Sequence, residues 1–139
     1  MSYLFQHIKT KETENEGSLS FFECKRDIPF DIKRVYYIYG ADKGTIRGGH
    51  AHKKLYQFVI CVYGKVRFIL DDGNKKEEFL LDSPQKGVYI EPGLWRDMIW
   101  EEKDSVLCVM ASEYYNEEDY IRNYNMFKEW IKTKGKIDN

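Results

Sequence analysis

Lys65-Val-Arg-Phe-Ile-Leu-Asp71 places Val66, Phe68 and Leu70 on one face of an extended segment, because side chains alternate along a strand. Seven more segments read as short strands, at residues 18–24, 32–39, 57–63, 76–81, 87–90, 97–100 and 106–112, mostly rich in β-branched and aromatic side chains. Turn chemistry separates them: Gly64 breaks one run, Asp72-Gly73-Asn74 signals a hairpin, and Ser83-Pro84 and Pro92-Gly93 punctuate the later ones. Short strands at this spacing predict an all-β fold, a closed β-sandwich or jelly-roll barrel. No repeat, linker or low-complexity tract interrupts the pattern, so residues 1–139 are expected to form a single domain.

The period changes near the carboxyl terminus. Asn116 can cap a helix whose first turn carries Glu117, Glu118 and Asp119, well placed against the helix dipole. Tyr120, Ile121, Tyr124, Phe127, Trp130 and Ile131 then recur at helical spacing, and Gly135 is a stop signal. The expected architecture is a jelly roll over residues 1–115 and an α-helix over 116–134. That helix packs over the barrel or against a neighbouring subunit; its stripe is alternatively an aromatic binding surface.

Composition removes several classes of function. The 22 basic and 23 acidic side chains balance, which argues against an electrostatic nucleic-acid binder. The longest strongly apolar run covers residues 58–63, far short of the roughly 20 residues a membrane helix needs. The amino terminus shows no charged lead followed by an apolar stretch, so no secretory signal is read there. Three scattered cysteines, Cys24, Cys61 and Cys108, suit reduced thiols in a cytoplasmic protein better than a disulfide frame or a zinc knuckle. Aromatic residues, at 16%, favour strands and can line a pocket that stacks on rings.

The informative stretch is Arg47-Gly-Gly-His50-Ala-His52-Lys-Lys-Leu55. On a strand, His50 and His52 point to the same face, where two imidazoles can bind a metal or exchange protons. Gly44, His50, His52 and Gly64 together fit the first motif of the cupins, which this segment resembles, and so imply a cupin jelly-roll barrel (a double-stranded β-helix). Two positions depart from the motifs: Gln57 stands in the glutamate position, and Arg96 stands where the last metal-binding histidine is expected after Pro92-Gly93-Leu94-Trp95. Losing a carboxylate and gaining a permanent cation removes two ligands and repels a metal, so no metal and no cofactor are expected.

A narrower resemblance follows from Arg34-Val-Tyr-Tyr-Ile-Tyr39, the histidine segment, Leu70-Asp-Asp-Gly73, Leu81-Asp-Ser-Pro84 and Ala111-Ser-x-Tyr-Tyr115. These blocks, in order from about residue 17 to residue 128, are similar to the thymidine-diphosphate-sugar 3,4-ketoisomerases, small metal-free cupins acting on TDP-4-oxo-6-deoxyglucose. The resemblance implies a homodimer with exchanged amino-terminal strands and a TDP-linked 4-oxo-6-deoxy sugar as substrate. It puts the main acid/base role on His52 and a supporting relay role on His50. Arg47 and Lys53 are candidates for the pyrophosphate, Lys53 being equally well an ordinary surface cation. Tyr37 is a candidate for the sugar or thymine, or else a core tyrosine, and Arg96 for a sugar oxygen or the enediolate. Members giving the galacto product tend to carry histidine after the tryptophan; Trp95-Arg96 therefore points to the gluco product, although Glu16 matches neither branch.

Rival functions are a sugar-nucleotide epimerase of the same group, a non-catalytic nucleotide-sugar-binding cupin and a metal-dependent cupin. An epimerase pairs its histidine base with an aspartate and adds a tyrosine acid; no His–Asp pairing is visible along the chain.

Overall fold

The computed structural model describes residues 4–138; the ends of the expected single domain, residues 1–3 and 139, lie outside it. In chain order the strands are β1 (Leu4–His7), β2 (Lys9–Thr13), β3 (Gly17–Phe21), β4 (Arg34–Ile38), β5 (Ile46–His52) and β6 (Gln57–Tyr63). They continue with β7 (Val66–Asp71), β8 (Lys76–Leu81), β9 (Lys86–Ile90), β10 (Trp95–Trp100), β11 (Val106–Ala111) and β12 (Tyr120–Ile121), followed by helix α1 (Tyr124–Asp138). One five-stranded antiparallel sheet has the order β1-β9-β6-β11-β4 and the other β12-β5-β10-β7-β8, while β2 and β3 form a separate hairpin. This is the expected all-β jelly roll.

The core between the sheets follows from alternation. Val66, Phe68 and Leu70 of β7 point inward with Met98 and Trp100 of β10, and meet Val59, Cys61, Leu107 and Val109 from the facing sheet. Each such side chain contributes about 1.5–3 kcal/mol on burial. Strand β6 does not alternate because both of its faces are covered: Phe58 and Ile60 lie on the outer side with Ile28, Phe30, Tyr89 and Met110. That explains the apolar run at 58–61; Val62 and Tyr63, which continue it, are exposed.

The carboxyl-terminal segment differs from the expected helix over 116–134. Asn116 caps only a three-residue 3-10 turn, Glu117–Asp119. Tyr120 and Ile121 then pair with His52 and Ala51, extending the second sheet. The helix begins after Asn123, whose Oδ1 accepts from the Met126 amide at 3.0 Å, and runs past Gly135 to Asp138. Sheet pairing won because Ile121 is buried with Ala51, Trp95 and Phe127, an apolar site that a helix starting at residue 117 would not fill. The helical stripe survives in Phe127, Trp130 and Ile131, which pack over the barrel.

Candidate active site

Strand β5 carries the two histidines, and its pairing with β10 is irregular. Arg96 opposes His50, but Asp97 opposes Gly48, so Gly49 is the extra residue of a bulge. Gly48 and Gly49 have φ of 96° and 68°, and a Cβ on Gly48 would lie 2.7 Å from the Arg96 carbonyl oxygen; only glycine fits. The bulge reverses the alternation, so Arg47, opposite the inward Met98, shares the inner face with His50. His50, His52 and Tyr120 then form one aromatic group: the imidazoles meet edge to face at 5.0 Å, and the Tyr120 ring lies 5.0 Å from His50 and 4.3 Å from His52.

The floor is Arg96, buried at 2% exposure. Its Nη1 donates to Gln57 Oε1 and its Nη2 to the Leu94 carbonyl at 3.2 Å, while Gln57 Nε2 donates to the Tyr36 hydroxyl at 3.1 Å. Gln57 and Arg96, the two departures from the metal-binding pattern, thus satisfy one another where ligands would converge. A guanidinium within that donor set does not fit a metal cation. Burial, followed by the charge of Arg96, pushes His50 down to about 4 and His52 to about 2, so both imidazoles are neutral near pH 7. Burial also lowers Arg96, to about 10, leaving it charged.

His50 lines a cavity of about 460 Å³ with Arg34, Tyr36, Arg47, Tyr120 and Arg122. The three arginines come from separate elements and give the mouth its cationic character. Glu117 grips Arg122 through two bonds, at 2.6 and 2.9 Å, and holds the guanidinium 4.2 Å above the Tyr120 ring. Those bonds pull the Glu117 carboxyl down to about 2. His52 is set deeper, at 1% exposure, with Asp119 Oδ2 3.0 Å from its Nδ1. The buried side-chain nitrogens that lack a hydrogen-bond partner among the described residues are Arg34 Nε, His50 Nδ1, His52 Nε2 and Arg96 Nε, all of them in this region. Such orphaned groups in a concave site mark where a ligand binds.

Of the residues expected from the sequence, His50, His52, Arg47 and Arg96 come together. Tyr37 and Lys53 do not. Tyr37 is 63% exposed on the outer face of β4 beside Tyr39, because Arg34, Tyr36 and Ile38 take the inner positions. Lys53 lies past the end of β5, where its ammonium donates to the Glu118 carbonyl at 3.2 Å outside the cavity. The sequence assigns no site role to Arg34, Tyr36, Asp119 or Arg122, and offers Tyr120 only as part of a helical aromatic stripe. Alternation along β4 pairs Arg34 with Tyr36, but the other three fall where the sequence predicts an α-helix and the chain instead forms a 3-10 turn and β12. The His52–Asp119 pair also removes the reason given against an epimerase.

A family model, FdtA (WxcM-like, C-terminal), matches residues 1–132. TDP-4-oxo-6-deoxy-alpha-D-glucose-3,4-oxoisomerase of Aneurinibacillus thermoaerophilus is 49% identical over 121 residues, 87% of each chain. A 3,4-ketoisomerase from Helicobacter canadensis superposes with a TM-score of 0.91 at 38% identity, covering 95% of this chain and 98% of the other. QdtA, a sugar 3,4-ketoisomerase from Thermoanaerobacterium thermosaccharolyticum in complex with TDP, gives 0.90 at 43% identity, with 95% and 96% covered. Two QdtA variants match as well: a tyrosine-to-arginine, arginine-to-histidine double variant with TDP, and a histidine-to-asparagine variant with TDP-4-keto-6-deoxyglucose. A 3'-monoepimerase from Streptomyces bikiniensis shares the fold alone, at 17% identity and a TM-score of 0.75.

Proposed function

The chain belongs to the FdtA family of sugar-nucleotide 3,4-ketoisomerases, and from that premise we propose that it converts TDP-4-oxo-6-deoxyglucose to a TDP-3-oxo-6-deoxyhexose by proton transfer through an enediol. One observation carries the reading: two neutral imidazoles with partnerless nitrogens at the base of a cavity rimmed by arginines. The arginines suit the diphosphate, since guanidinium pairs bidentately with phosphate oxygens. The imidazoles suit a sugar whose ketone acidifies the hydrogen on the neighbouring carbon.

We assign the carbon-bound proton to His50 in place of His52. His50 lines the cavity, and the less exposed His52 is set deeper beside it. The spacing between the histidine and the arginine replaced in the QdtA variants also equals that between His50 and Arg96, and not that between His52 and Arg96. His50 takes the proton from carbon 3, and the electron pair forms the carbon–carbon double bond of an enediolate as the proton of the carbon-3 hydroxyl passes to the carbonyl oxygen at carbon 4. The same imidazolium returns its proton to carbon 4, and the oxygen on carbon 3, which has already given up its proton, becomes the new ketone. Two protons have moved and no oxidant is consumed. The Arg96 charge beneath the rings favours the electron-rich enediolate. The epimerase reading loses on identity, 17% against 49%.

The unit we propose is a homodimer in the cytoplasm. The outer face of the first sheet supports the dimer: Val35 and Tyr37 are exposed on the edge strand β4, beside an apolar groove of about 270 Å³ lined by Phe22, Ile60, Val62 and Met110. Tyr37→Glu is expected to halve the mass found by sedimentation. The three free cysteines and the lack, among the described residues, of any helix long and apolar enough to cross a membrane agree with the location.

Incubation with TDP-4-oxo-6-deoxyglucose in deuterated water, followed by NMR, tests the reaction. A 3-keto product carrying solvent-derived or transferred hydrogen at carbon 4 is expected, and the same spectrum gives the configuration there. Return of the substrate with exchange only, or of an epimer retaining the 4-ketone, overturns the reading.

A further inference from the structure

Asp119 approaches the histidine pair from the far end of the chain. The two amides beyond His52 fix it: Lys53 N–H donates to its backbone carbonyl at 3.0 Å, and Lys54 N–H donates to Oδ1 at 2.8 Å. Its second oxygen, Oδ2, faces His52 Nδ1 at 3.0 Å. An ionised carboxylate only accepts, so the hydrogen in this contact belongs to Nδ1. His52, neutral in this environment, therefore carries its lone pair on Nε2. That nitrogen is buried without a partner, beside His50 and beneath Tyr120.

The geometry points to Asp119 as a positioning residue for the reaction: by fixing the tautomer of His52 it presents Nε2 as the acceptor for the hydroxyl proton that travels from the oxygen on carbon 3 to the oxygen on carbon 4. Asp119 acts only through His52 and does not touch the sugar. This rests on the ketoisomerase reading above and completes its proton inventory. His50 carries the carbon-bound hydrogen; His52 Nε2 accepts the proton from one oxygen and releases it to the other, ending the cycle unchanged. The carboxylate is already in place to offset the imidazolium that forms in between. Tyr120↔His52 pairing between β12 and β5 makes the arrangement possible, which gives the short strand a role in the site.

Asp119→Asn tests the proposal, because it keeps the shape and an oxygen for Lys54 N–H while turning an amide N–H₂ towards Nδ1. Imidazole nitrogen NMR on the ligand-free protein is expected to show His52 protonated on Nδ1 in the native chain and on Nε2 in Asp119→Asn. The variant should lose about 100-fold or more in kcat with KM little changed, and Asp119→Glu should restore part of it. Native His52 found protonated on Nε2 overturns the proposal even if the variant does not fold. So does a tautomer that switches while kcat stays native. A native protein that shows the Nδ1–H tautomer but does not turn over TDP-4-oxo-6-deoxyglucose overturns the ketoisomerase reading instead, and with it the role given to Asp119.

Discussion

Two buried polar groups of residues sit at opposite ends of β10, on the same inner face, and they are treated in opposite ways. At one end Trp100 is fully buried and donates its indole N–H to the Ser105 carbonyl at 3.0 Å. Ser105 in turn donates to the Glu102 carbonyl at 2.8 Å and accepts from the Lys65 amide at 2.8 Å. At the other end Arg96 and His52 are almost as deeply set and His50 is half-buried, yet each retains a buried nitrogen with no partner among the described residues. A buried donor or acceptor left unpaired costs roughly 1–3 kcal/mol. The first end therefore stabilises the barrel, and the second carries a polar penalty that a bound sugar nucleotide can relieve.

Breaking the second end should abolish chemistry and leave the fold. His50→Asn is expected to lower kcat by roughly 10²–10⁴-fold, the usual worth of a general acid–base group, with a melting temperature equal to or above that of the native protein. A large drop in melting temperature would show that the histidine is a structural element like Trp100. The opposite pattern is expected at the first end: Trp100→Ala should cost about 3–5 kcal/mol in denaturant unfolding while the folded fraction keeps its kcat.

Charge provides a finer comparison. Arg96 is one of the causes holding His50 down to about 4, after burial. The acid limb of kcat/KM should thus lie well below the ordinary histidine value of 6.5, with activity rising as pH increases through it. Arg96→Gln removes the cation and should move that limb upward, to less acidic pH; an unmoved limb would disconnect Arg96 from His50.

The smallest effect expected is on stability. Between 6.5 and about 4 the unfolded chain binds protons that the folded His50 refuses, so the folded state loses stability as pH falls through that window. The urea midpoint should decline on acidification from pH 7 to pH 5, and less steeply in His50→Asn; an equal slope in both would remove His50 from the cause.

Much of this was legible along the chain. Alternation gave β7 and the inward triplet Val66, Phe68 and Leu70, and turn residues gave the boundaries of β6 and β8. The polar strand β2 escaped because Lys9–Thr13 buries nothing that would set a pattern. Period two put His50 and His52 on one face without any knowledge of what lay opposite. It could not choose between Tyr36 and Tyr37, since both faces of β4 carry aromatic residues and only pairing with β11 decides which is inward.

The sequence by itself determined β3, β4 and β6 to β11, the imidazole pair and the replacement of two metal ligands by Gln57 and Arg96, because these are matters of residue identity and local period. Tertiary structure alone decided that a two-glycine bulge turns Arg47 inward, that arginines from β4, β5 and the residue following β12 share one mouth, and that Asp119 meets His52. Each of these joins segments far apart in the chain, and local propensity carries no information about which distant segment will supply the partner.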